Sequence, residues 1–288
     1  MLRTILVPVT GSDGDSAALD TAHIAGRAFN SHIEALHVRA DPAQLTMRAS
    51  VYDMGTSTDV ASFFAALEEE NQVHSKRAHV AFADFCKRWD MVRADNPPLT
   101  PSAGWRETQG DFIDTTIAQA RFHDLVVMSR ASVGESLAVL GGVLIGSGRP
   151  LLLAPSRAPE TVGSTIAIAW KDSPEAARAV TTAMPFLSRA GRVLILTANE
   201  ETERSPSEIE SAEKVVTQLR WNGIGAEARS VIPAGRSLPA AVMETATALG
   251  ADLLVMGGYG HSRVRELVFG GFTRQVLTAS TLPVFLFH

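Results

Sequence analysis

The chain states one order of elements twice. Thr4-Ile5-Leu6-Val7-Pro8-Val9 opens a run in which apolar segments of strand length alternate with segments of helical period, and Thr165-Ile166-Ala167-Ile168-Ala169-Trp170 opens it again. In the first run strands are expected at 4–9, 32–38, 103–108, 124–128 and 151–154, and in the second at 165–170, 191–198, 226–232, 252–256 and 284–287. Strands that alternate with helices at this rhythm form parallel sheets covered on both faces, joined by right-handed crossovers. Each run therefore makes a five-stranded α/β unit, and 288 residues suffice for two such units. The expected boundaries are 1–155 and 164–288, with Pro155, Pro159 and Gly163 marking the linker. The last apolar strand of each unit is a sheet edge that needs cover. The two units are accordingly expected to pack as an internal pseudo-dimer, and whole chains to pair again as a homodimer.

Local signals fill in this frame. Asp15 or Ser16 is placed to cap a helix whose apolar face is Ala18, Leu19, Ala22, Ala25 and Phe29. Residues 39–58 lack periodicity and read as a crossover or flap. A long helix follows from about 59 to 89, with Glu68, Glu69 and Glu70 on a solvated face. Asn96-Pro97-Pro98 breaks the chain, and Gly110 leads into a helix over 112–121. In the second run Ser173-Pro174 is a helix start, and Pro185 should kink or shorten that helix. Ser205-x-x-Glu208 has capping-box spacing for a helix that stops near Gly223. Ser237 opens a helix that ends at Gly250. The single cysteine, Cys86, lies on a stripe with Phe82, Phe85 and Trp89 and reads as a buried structural thiol.

Composition excludes several classes. Hydrophobic residues make up 45% and charged residues 20%, a globular balance, and the formal charge of −5 argues against a nucleic-acid partner. No apolar segment reaches membrane-spanning length, and the start of the chain runs straight into a strand without a signal-peptide pattern, so the expected compartment is the cytoplasm. There is no GxxxxGK[ST] loop, no complete GxGxxG at a first helix and no GxSxG elbow. Histidines at 23, 32, 37, 74, 79, 123, 261 and 288 show no metal-ligand pairing. No constellation for efficient catalysis is found.

One stretch carries binding chemistry. The strand at 252–256 delivers Gly257-Gly258-Tyr259-Gly260, and nine residues on come Gly270-Gly271-Phe272-Thr273, which read as the start of a helix. Glycines let an anion approach the backbone, and the first N–H groups of a helix lack intrahelical partners and lie at the positive end of its dipole. Ligands of open parallel sheets sit at the carboxyl ends of the strands, so Ala169, Trp170 and Lys171 should face this loop. His261 is placed to touch a ligand, and one of Arg263 and Arg265 could meet phosphate, although exposed loop and helix-surface roles also account for these residues. Trp170 can pack as core or stack on a base.

The spacing Gly257-x-x-Gly260-(x)9-Gly270-Gly271-x-Thr273 resembles the nucleotide loop of the universal stress protein family, and the order of elements resembles that family over essentially the whole chain. The resemblance implies two tandem Rossmann-like (adenine nucleotide alpha hydrolase-like) domains. It also implies a nucleotide such as ATP, with Mg, as ligand, and at most slow ATP hydrolysis. Gly271 stands where the family often has Ser. The Asp that family members carry after the first strand, which holds the nucleoside, is replaced by Thr10 and Lys171; a charge-assisted hydrogen bond of that kind contributes about 1.5–3 kcal/mol. In the first half Ser129-Arg130-Ala131-Ser132 and Gly141-Gly142-Val143-Leu144 answer the loop, so that site reads as degenerate, with Arg130 still able to attract an anion. Two functions follow: a nucleotide-binding stress or regulatory protein with its ligand in the second half, or an interaction module that keeps the fold and binds no nucleotide.

Overall fold

The computed structural model describes residues 2–41, 60–94, 100–130, 137–198, 206–258 and 270–288. The first half contains strands β1 (Thr4–Val9), β2 (His32–Ala40), β3 (Val92–Arg93), β4 (Ser102–Gly110), β5 (Leu125–Ser129) and β6 (Leu151–Ala154). Its helices are α1 (Asp15–Gly26), α2 (Val60–Arg88), α3 (Phe112–Ala120) and α4 (Leu137–Ser147). The second half has β7 (Thr165–Ala169), β8 (Arg192–Ala198), β9 (Ala226–Val231), β10 (Leu253–Gly257) and β11 (Val284–Phe287). Its helices are α5 (Pro174–Leu187), α6 (Pro206–Trp221), α7 (Leu238–Ala248) and α8 (Gly271–Ala279).

Among the described residues all strands lie in one sheet in the order β3-β4-β2-β1-β5-β6-β11-β10-β7-β8-β9. Within each half the pairs are parallel, as the alternation of elements requires. The halves meet where β6 and β11 run antiparallel, Leu153 opposite Val284, Leu152 opposite Phe285 and Leu151 opposite Leu286. Each half thus covers the other's apolar edge, and the pseudo-dimer expected from sequence is a continuous sheet. Phe285 packs edge-on to Phe186 at 5.9 Å, and Phe186 meets Phe29 of the first half at 5.5 Å.

Strand alternation assigns the core to two faces. Ile5, Val7, Ile166, Ile168, Leu253 and Val255 share one cluster with Leu19 and Phe82 of α1 and α2 and Val180 and Val216 of α5 and α6. Leu6, Val126, Ala167, Leu254 and Met256 join Leu140, Val242 and Val276 of α4, α7 and α8 on the other. Successive strand residues point to opposite faces, which is why these buried strands read as continuous apolar runs.

An aspartate recurs at the entry to β5 and β10. The Asp124 carboxylate accepts from the backbone N–H of Arg3 (2.7 Å) and Thr4 (3.0 Å). Asp252 accepts from the N–H of Gly163, Ser164 and Thr165, each at 3.0 Å, and from the Thr161 hydroxyl. Each carboxylate ties the start of the first strand of its half to the fourth.

The structure corrects several local readings. The first half adds a two-residue edge strand, β3, to its five. α1 is not capped by Asp15 or Ser16: Gly14 is the N-cap residue, without a side-chain bond, and Asp15 is the first helical residue. Pro185 does not stop α5, which continues to Leu187; Ser173 caps that helix by accepting from Ala176 N–H. Cys86 is buried and free, and burial pushes its thiol pKa up. Most of the expected flap, Asn96-Pro97-Pro98 and Ser205 lie outside the described residues.

Candidate functional site

β7 and β10 are neighbours with Ala169 beside Met256, while β8 and β11 lie on their far sides. The direction of winding reverses between them, which is where open sheets of this kind leave a crevice. β10 ends at Gly257 and α8 begins at Gly271, so both described ends of the glycine segment lie in this region.

The glycines divide into two kinds. A Cβ on Gly257 would lie 2.7 Å from Ala176 N and 2.8 Å from Glu175 C, so the first turn of α5 rests directly on the strand end. A Cβ on Gly258 would lie 2.8 Å from Leu144 Cδ2, a side chain of α4 in the other half. Gly258 also donates to Phe287 O and accepts from His288 Nδ1. These two glycines are therefore explained by packing within the protein. Gly270 and Gly271, by contrast, are exposed, and among the described residues nothing lies within 4 Å of a Cβ position on either.

α8 starts on those open glycines. Its N-cap residue is Gly270, with no side-chain cap, whereas Asp111, Ser173 and Ser237 cap α3, α5 and α7. The first intrahelical bond runs from Arg274 N–H to Gly270 O. The preceding N–H groups, on Gly271, Phe272 and Thr273, lack helical acceptors and lie at the positive end of the dipole. Thr273 is buried in this first turn.

The remaining predicted residues fall on both sides of the question. Ala169 ends β7. Trp170 is half-buried against the core, and its indole Nε1 donates to Ser211 Oγ of α6 at 3.0 Å, which fixes the ring as a packing element. Lys171 is exposed at the carboxyl end of β7. Phe272 is partly buried against the core. Gly260, His261, Arg263 and Arg265 lie outside the described residues. The donor set suits the phosphate portion of a nucleotide. Lys171, not a carboxylate, directly follows Trp170 at the end of β7, with Asp172 exposed next to it, and among the described residues no three His, Cys, Asp or Glu side chains converge on a metal position.

The corresponding place in the first half is filled from within. The Asp15 carboxylate accepts from the N–H groups of Thr10 (3.0 Å) and Gly11 (2.7 Å) and from Ser12 Oγ (3.1 Å). Gly11 has a φ of +79°, and a Cβ there would lie 2.5 Å from the His74 carbonyl of α2. His37 is buried beside this loop; its Nδ1 lies 2.9 Å from Val9 O. Gly141, Gly142 and Leu144, set against the start of α8 by sequence spacing, lie inside α4 instead, and Leu144 crosses to Gly258 as core. Arg130 is not open to an anion: its guanidinium donates to Thr278 O at 2.7 Å and to Ser280 O.

Burial raises the Asp15 pKa above its ordinary value of 3.8, and the donors Thr10, Gly11 and Ser12 and the charge of His37 oppose that shift. A raised folded-state pKa means that the folded protein holds this proton more tightly than the unfolded chain. The stabilisation is therefore complete below the ordinary value and is lost as pH rises through the folded value. Urea unfolding of the native protein and Asp15→Asn across this range should show the native advantage shrinking as pH rises above 3.8. An advantage that grows with pH would mean that the hydrogen bonds outweigh burial.

Asp15, Arg130, Leu144 and the pair Asp124 and Asp252 were not assigned these roles from sequence. Only the two aspartates left a signal, the same residue before the fourth strand of both halves.

Fold and site together define a tandem doubly wound α/β protein with an uncapped helix start beside the switch point of its second half. Residues 164–288 match the model of the universal stress protein family. A universal stress protein from Archaeoglobus fulgidus DSM 4304 has the same fold over 99% of this chain and 95% of its own, with a TM-score of 0.68 at 16% identity. A candidate universal stress protein from Pseudomonas aeruginosa UCBPP-PA14 aligns over 99% of this chain and 93% of its own, with a TM-score of 0.56 at 15% identity. A universal stress protein of Synechocystis is 56% identical over 37 residues, which span 13% of this chain and 13% of that protein. The second half of the chain is thus similar to the universal stress protein family, and the fold shared with those solved structures extends over both halves.

Proposed function

We propose that this protein binds a phosphorylated ligand, ATP or a related nucleotide, at one site per chain in its second half, and acts as a stress-response or regulatory protein. The observation that carries this reading is the start of α8: an exposed glycine pair, no side-chain cap and a buried threonine in the first turn. In the first half the N–H donors of the loop after β1, the counterpart of the Lys171 loop, are already taken by Asp15. A second reading, an interaction module without nucleotide, draws support from the packing roles of Gly257, Gly258 and Trp170.

Calorimetric titration with ATP and with inorganic triphosphate separates the two. One site per chain is expected, with affinity that follows phosphate count more than base identity. Gly271→Glu places a carboxylate in open space at the positive helix end, so it should lower affinity by at least tenfold while leaving stability unchanged or slightly raised, by about 0.3–1 kcal/mol. Lys171→Ala should weaken both ligands alike. Two equal sites, or Gly271→Glu binding as the native protein does, would overturn the assignment.

A further inference from the structure

We propose that Arg130 is a positioning residue through which the first half of the chain sets the anion affinity of the second; this rests on the phosphate reading of α8. Arg130 follows β5, yet its guanidinium reaches across the junction and donates to Thr278 O, in the last turn of α8, and to Ser280 O just beyond it. α8 has only nine residues, and isolated helices shorter than about 12–15 residues are marginal. The far end of this helix is the uncapped glycine pair. A cation on its final carbonyls satisfies acceptors that the helix leaves free and complements the negative end of its dipole. It therefore holds the axis along which the first N–H groups are aimed.

Two further observations separate this from ordinary surface pairing. The guanidinium is half-buried against neutral carbonyls, burial lowers its pKa, and its Nε is buried without a hydrogen-bond partner among the described residues. The clamp is also not imposed by the repeated fold. The position answering Arg130 in the second half is Gly258, which receives Leu144 instead, and α4 is met at Gly146 O by Arg121 of its own half. The cross-junction cation thus goes to the helix whose glycine start is open.

The test uses the full chain with inorganic triphosphate as probe, in native protein, Arg130→Met and Arg130→Lys. Calorimetry should show about tenfold weaker binding for the Met variant at unchanged stoichiometry, with Lys intermediate. Hydrogen exchange without ligand should accelerate along 273–280 in the Met variant. With ligand, the native protein should gain protection at 276–280, and the Met variant should not, since coupling between two ends of one element is reciprocal. Should Arg130→Met fail to fold, Arg130→Lys and Arg130→Gln carry the same comparison. Unchanged triphosphate affinity in folded variants, with Gly271→Glu still defective, overturns the role of Arg130 and leaves the site. No triphosphate binding by native protein overturns the phosphate reading together with the claim on affinity, and the exchange rates of α8 then decide whether Arg130 holds the helix.

Discussion

Gly257→Val should destabilise the folded chain by about 3 kcal/mol, although valine is the better residue for a strand. The added Cβ would meet Ala176 N at 2.7 Å and Glu175 C at 2.8 Å, and these are backbone atoms at the start of α5, which cannot rotate aside as a side chain could. α5 must move away from β10, and its buried residues Val180, Ala183, Phe186 and Leu187 move with it. Gly257→Ala should already show most of the effect. Gly271→Ala, where a Cβ meets nothing, should change stability by less than about 0.5 kcal/mol. Urea midpoints and slopes for the three variants measure this. A fully stable Gly257→Val protein that has lost phosphate binding would show instead that the glycine serves the ligand.

The second large effect is expected at Asp252. Its carboxylate holds three consecutive backbone donors and one hydroxyl where the linker enters β7. Hydrogen bonds to a charged acceptor contribute about 1.5–3 kcal/mol each when buried, and this site is only partly so, which puts the loss in Asp252→Ala at about 3 kcal/mol in total. Asp252→Asn keeps one acceptor oxygen and should lose about half as much. Asp124→Ala frees two backbone donors rather than three and should cost less than Asp252→Ala. Equal losses at the two positions would show that the number of donors does not set the energy.

What was legible in sequence is what local chemistry encodes. β1, β6 and β11 begin and end where their apolar runs do, and α7 starts after the Ser237 cap and ends before Gly250 in left-handed conformation, φ +76°. β3 was invisible because two exposed residues, Val92 and Arg93, carry no period. β4 was read short because Ser102, Gln109 and Gly110 are polar or lack a side chain and join the sheet through backbone pairing with β2. In the candidate site the uncapped start of α8 followed from Gly270 and Gly271, but the glycine spacing could not separate a glycine that admits a ligand from one that admits a helix. Gly257 and Gly258 are of the second kind, and their partners, Glu175, Ala176 and Leu144, lie about 80 and 114 positions away in the chain. Arg130 and Leu144 likewise act between the halves, where no local pattern announces a contact.

The antiparallel joint of β6 and β11 has a consequence for how this molecule can change. Two identical subunits meeting about a twofold axis express every substitution on both sides of the seam, so a lone arginine facing a helix end would face it twice. Tandem fusion removes that restriction. Arg130 and Gly258 occupy answering positions and do different work, and Asp15 fills a loop whose counterpart begins with Lys171. One half is thereby free to specialise as scaffold for the other, an inequality that a symmetric pair of separate chains cannot encode.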